Sequence, residues 1–174
     1  MVQKFRPTEE QRRRAIFDLF YEIEQLIDAS SFSVENRVVQ NAILDSVLTH
    51  TRNLLDFYSR KKRTNHNGVE QDDVLVSDYG FPHRTVNIPS DVRKRLNKDL
   101  AHLTYDRSKR RTLEEKRWSY PPIVVPIMER SREFVIHVQT KCLNLIVPEH
   151  ATAFVEECET VLRKIEGYLD RYSK

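Results

Sequence analysis

The sequence predicts an all-α fold: an up-down bundle of about five helices with a long loop between helices two and three. Three observations carry this. Apolar residues recur at helical spacing over most of the chain. Glycine occurs only three times in 174 residues, at 68, 80 and 167, so tight hairpin chemistry is scarce. Charged residues make up 32% against 39% hydrophobic, the balance of helices with one buried and one solvated face. The length suits a single helical domain over residues 1–174.

The first helix should begin at Thr8, which follows Pro7 and has capping-box spacing to Gln11. Ile16, Leu19, Phe20, Ile23, Leu26 and Ile27 mark its inner face, and it ends in Ala29-Ser30-Ser31. The second helix should start near Ser33 or Val34 and run to about Arg60, with Val39, Ile43, Val47, Leu54 and Phe57 on one side. Residues 61–89 then read as a long loop, of the kind that is usually either functional or mobile. Within it, residues 74–80 (VLVSDYG) suit a short strand or a turn.

The third helix should run from Ser90, as N-cap, to about Tyr105, with Asp91 at the positive end of the helix dipole. A basic linker spans 106–120. The fourth helix should begin at Pro122 or Pro126, because proline suits a first helical position but deletes a backbone bond further in. Its apolar face continues through Val135, Val138, Cys142 and Leu145 to about Val147, before Pro148. The fifth carries a stripe from Phe154 through Cys158, Val161, Ile165 and Tyr168 to Tyr172.

Several function classes find no support. No HxxxH or CxxC spacing, glycine-rich phosphate loop or nucleophile elbow occurs, so no metal or cofactor is expected. Cys142 and Cys158 fall on apolar faces and read as small buried hydrophobes. The N-terminal MVQKFRPTEEQRRR lacks an apolar signal-peptide core, and no apolar run reaches a membrane span, which predicts a cytoplasmic protein with no membrane partner.

Charge is more informative. The chain carries a net +3, yet residues 93–117 hold ten Lys or Arg against four Asp or Glu, so this window is +6 and the remainder −3. Such concentration favours phosphate-bearing partners. Arg60, Lys61, Lys62 and Arg63 at the end of helix two, and Arg107, Lys109, Arg110 and Arg111 after helix three, are the candidate RNA-binding cations. Tyr105, Trp118 and Tyr120 would offer stacking surfaces for unpaired bases; alternatively, Trp118 anchors the linker to the core.

Within helix three, Arg95, Asp99 and His102 fall at i, i+4 and i+7 beside an apolar stripe of Val92, Leu96, Leu100 and Leu103. Metal-free RNA cleavage needs proton-transfer groups and a fixed cation for the developing phosphorane charge. Histidine and arginine can supply these. The same residues also fit a solvated face with an Arg95–Asp99 pair. Arg95 and His102 lie two turns apart, about 10 Å along one helix, so a second copy related by a twofold axis would close the gap. Asn53 and Asp56 on helix two, beside His50, are candidates to face this edge if helices two and three pack together.

An arginine shortly before a histidine on the third helix of a small bundle resembles the HEPN superfamily (higher eukaryote and prokaryote nucleotide-binding domain). The resemblance covers about 20 residues. It implies a homodimer in which two such helices build one RNA site, with Arg95 as the motif arginine and His102 as the motif histidine. Many members are metal-independent endoribonucleases, and others are non-catalytic. Here Leu96 stands where a polar residue usually follows the arginine, and Asn97 stands at the arginine position of the commoner spacing. The expected function is thus RNA binding, with endoribonuclease activity at the Arg95–His102 helix. The alternative is a non-catalytic helical module that binds a protein partner.

Overall fold

A computed structural model describes residues 5–64, 69, 71–99, 112 and 118–172, with the side chains of 97–99 outside that description. Among these residues five α-helices form: α1 (Glu9–Ser31), α2 (Arg37–Ser59), α3 (Ser90–Asp99), α4 (Pro121–Lys141) and α5 (Ala151–Tyr172). The all-α bundle expected from periodicity is the fold observed, and a long connection separates α2 from α3.

Thr8 caps α1 as expected. Its hydroxyl accepts from the Gln11 N–H (3.1 Å), and the Gln11 side chain accepts from the Thr8 N–H (2.8 Å). Helix α2 starts later than expected, because Asn36 is the better cap. Its Oδ1 accepts from the N–H groups of both Val38 (3.0 Å) and Val39 (3.2 Å), satisfying two donors that the helix itself leaves open. Ser90 is the first helical residue of α3 rather than its cap, since Arg93 N–H bonds to the Pro89 carbonyl (3.0 Å). The continuation of this helix to Tyr105 lies outside the described residues.

Helix α4 begins at Pro121, before either expected start, and carries Pro126 inside it. Tyr120 accepts the first two bonds, from Ile123 (2.9 Å) and Val124 (2.8 Å). Pro126 removes one bond in the second turn, and burial of Ile123, Val124, Ile127 and Met128 offsets that loss. The helix also stops at Lys141, short of Val147. Leu143–Leu145 and Pro148–His150 form two 3₁₀ turns that keep Leu145 and Ile146 buried without continuing the α-helix.

The four long helices form the core. Helices α1 and α2 are antiparallel across the turn at 32–36, and α4 and α5 across the 3₁₀ turns. Phe20 of α1 stacks on Phe154 early in α5 (6.3 Å). Further along both helices, Lys164 pairs with Glu24 (2.9 Å) and Asp28 (3.7 Å). Helices α1 and α5 therefore run the same way, and so do α2 and α4. The chain leaving α2 must return along the bundle before α4 can start, which is why the connection is long.

That connection is anchored. Phe134 of α4 is ringed by Phe57 (5.1 Å), Tyr79 (5.6 Å) and Phe81 (5.5 Å), all in edge geometry. The segment expected as a strand or turn is a 3₁₀ turn, Val76–Tyr79, closed by Gly80 at φ 66°. His137 donates to the Tyr79 carbonyl (2.7 Å), and the buried Arg130 donates to Pro82 and stacks 4.1 Å over Phe81. Among the described residues no helix is long and apolar enough to cross a membrane.

Candidate functional site

Helix α3 packs on the four-helix core over its described residues. It is joined to it by Leu96, 2% exposed, and by the partly buried Val92. The apolar stripe read from the sequence is thus the packing face, and Leu96 follows the arginine because it plugs the core. Arg93 bonds back to the Val86 carbonyl (2.7 Å), while Lys94 is exposed.

Arg95 is half-buried. Its guanidinium carbon lies 3.9 Å from the centre of the Trp118 ring. Trp118 itself packs against the core just ahead of α4. The linker-anchoring role weighed for this tryptophan is therefore the one its packing serves. Its pairing with Arg95 has no local signal in the sequence. A cation over an aromatic face in this way is attracted by the ring quadrupole. Asp99 is the last described residue of α3. His102, Arg107, Lys109, Arg110 and Arg111 lie outside the described residues.

Asn53 and Asp56 are placed against α1. Asn53 Nδ2 donates to Glu22 Oε2 (3.1 Å), and His50 Nδ1 lies 2.7 Å from that same oxygen. His50 is thus the hydrogen-bonded core-edge histidine that its apolar position suggests, with Tyr21 edge-on at 5.9 Å. Glu22 is the residue that sequence reasoning missed, because it lies on a different helix and no spacing rule connects the two. Asp56 pairs with Arg60 (3.3 Å), and Arg60 also bonds Asp73. These groups line a cleft of about 250 Å³ between α1 and α2, with Asp18 and Glu22 beside them. Four carboxylates face one guanidinium there, a field that repels phosphate.

The 60–63 run divides in two. Arg60 is held in the cleft, and Arg63 pairs with Asp78 and donates to the Asp73 carbonyl (2.9 Å), pinning the 3₁₀ turn. Lys61 and Lys62 are exposed. Both cysteines are buried, and burial pushes the Cys158 thiol up to about 12, so it holds no thiolate near neutrality. Among the described residues, no group of three His, Cys, Asp or Glu side chains is placed to hold a metal ion.

Compared with known proteins, the chain matches no family model, no curated protein and no solved structure.

Proposed function

We propose that this chain is an RNA-directed helical bundle whose working edge is the polar side of α3 and its continuation, from Arg95 through Asp99 to His102. The observation that carries this reading is the placement of α3. Over its described residues α3 carries four Lys or Arg against two Asp, seats Leu96 in the core, and sets the Arg95 guanidinium over the Trp118 ring. Arginine is the side chain whose planar fork matches a phosphate oxygen pair. The likeness of the Arg95–His102 spacing to the HEPN superfamily supports the same reading.

In the catalytic form, the RNA 2′-oxygen attacks the adjacent phosphorus and the 5′-oxygen leaves. His102 handles the proton, Asp99 orients the imidazole, and Arg95 stabilises the negative charge gathered on the phosphorane. On the continuous helix that the sequence predicts, Arg95 and His102 would stand two turns apart, and a homodimer would bring a second set across the substrate.

The test is cleavage of single-stranded RNA in EDTA, with His102→Ala as the control. Activity that survives chelation and is lost in the variant supports the reading. Equal cutting by both proteins rejects it.

A second reading, a non-catalytic protein-binding module, has its own observation. At the α1–α2 end, Phe32 is 60% and Val38 78% exposed, more than large apolar side chains usually are. Absence of both cleavage and salt-sensitive RNA binding favours this module.

A further inference from the structure

We infer that the start of α2 is a docking surface for a second copy of this chain. Two α2 helices pack antiparallel about a twofold axis at Asn41, with Arg37 of each copy level with Asp45 of the other. The inference stands on α2 and needs nothing from the RNA-directed reading of α3.

Exposure marks the surface. Residues 37–42 are helical, and every one of them is exposed. Val38, at 78%, is the most exposed large apolar side chain among the described residues. Val39 and, in the adjoining turn, Phe32 are exposed as well. One such side chain is ordinary on a surface, whereas three on one turn and helix start form a patch.

Residue choice points the same way. β-branched side chains lose rotamer freedom in a helix, so adjacent valines are poor formers for a turn that only water touches. Yet this turn is held. Asn36 caps it with two hydrogen bonds, and Gln40 Nε2 donates back to the Val34 carbonyl (2.6 Å). An apolar surface that is already ordered costs less conformational entropy to bury on binding than a frayed one.

Charge selects the occupant. Arg37, Asn41 and Asp45 follow at i, i+4 and i+8, so they share one row of the helix, with its charged ends about 12 Å apart. Both charged residues are exposed, and among the described residues neither has an ion-pair partner. In a twofold contact residue i meets j and j meets i. Reversing the helix about Asn41 sets plus opposite minus at both ends of the row. At the axis Asn41 meets its own copy, and an amide both donates and accepts. Val38 and Ala42 lie in the next row and supply the apolar strip. A row that complements itself fits a second copy of this chain.

Sedimentation of the full chain at rising concentration reads the oligomeric state. The wild type should form a dimer, and Val38→Asp should stay monomeric. Arg37→Asp and Asp45→Arg should each weaken the dimer about tenfold, because each change acts twice in a twofold contact. An equimolar mixture of these two variants should recover the dimer, since each supplies the charge that the other lacks. A general folding defect would give no such rescue, and a thermal melt of each variant checks that it folds.

A wild type that remains monomeric overturns the inference, and the exposed patch then belongs to the protein-binding reading. A dimer that persists unchanged in Val38→Asp or Arg37→Asp also overturns it, because the interface then lies on another face. So does a mixture that stays monomeric. Should Val38→Asp fail to fold, the two charge variants and their mixture decide alone. None of these outcomes tests RNA binding by α3.

Discussion

Tyr58 at the end of α2 donates a 2.9 Å hydrogen bond to Ser131 in the middle of α4, and both residues are fully buried. Burial pushes the Tyr58 phenol well above its ordinary pKa, so the group stays protonated and the bond persists across ordinary pH. The two partners are not equivalent. Tyr58→Phe leaves a serine that can turn to a carbonyl of its own helix, and should cost about 1 kcal/mol. Ser131→Ala strands a buried phenol and should cost about 1–3 kcal/mol. Urea denaturation of both variants checks the order; a larger loss for Tyr58→Phe would contradict it.

Glu133 gives the bundle an acid sensitivity. Burial opposes its charge, but hydrogen bonds from Arg130 and Arg84, with their positive charges, together outweigh that and hold its carboxyl below the ordinary value of 4.5. The sign follows. A depressed folded-state pKa contributes stability that is fully present above the unfolded value and is lost as pH falls through the folded one. Stability measured from pH 6 down past about 4 should therefore fall less steeply in Glu133→Gln than in the wild type. Identical acid limbs would exclude Glu133 as a source.

Gly80 is required for its backbone. It closes the 3₁₀ turn at φ 66°, and a Cβ built there meets nothing within 4 Å. Gly80→Ala should therefore lose only the conformational cost of a left-handed alanine, about 1–2 kcal/mol. Calorimetry reads this, and a much larger loss would mean that packing around Tyr79 had also failed.

Residues 37–42 of α2 are exposed on all sides, so this start depends on its cap. Asn36→Ala should speed amide exchange at Val38 and Val39 while lowering global stability by only about 1 kcal/mol. Unchanged exchange at these two amides would contradict the cap assignment.

The helices were legible where a local rule has no competitor. Thr8 with Gln11 marks the start of α1, and the stripe from Phe154 to Tyr168 is the buried face of α5. Legibility failed where two local rules compete. Ser33 and Asn36 can both cap, and only Asn36 reaches two donors. Leu143 to Ile146 repeats every few residues as a helix would, but does so in a 3₁₀ turn. Pro126 breaks a local rule and is tolerated because its neighbours are core residues.

The site was legible in part for the same reason. The basic helix and its apolar stripe follow from spacing, and Leu96 is buried as that stripe requires. The Glu22 partner of His50 and Asn53, and the Trp118 partner of Arg95, are long-range contacts. Periodicity orders residues along one helix and is silent about which helix a side chain will meet.

The central claim is that the α3 edge receives RNA, and its most direct test is the salt dependence of binding. Fluorescence anisotropy of a labelled single-stranded RNA should give log K falling linearly with log salt, as neutralised phosphates release their counterions. Arg95→Ala should weaken binding and reduce the slope by about one contact, or roughly 0.7 for a single strand. Binding that ignores salt, or a slope and affinity unchanged in Arg95→Ala, would contradict the account.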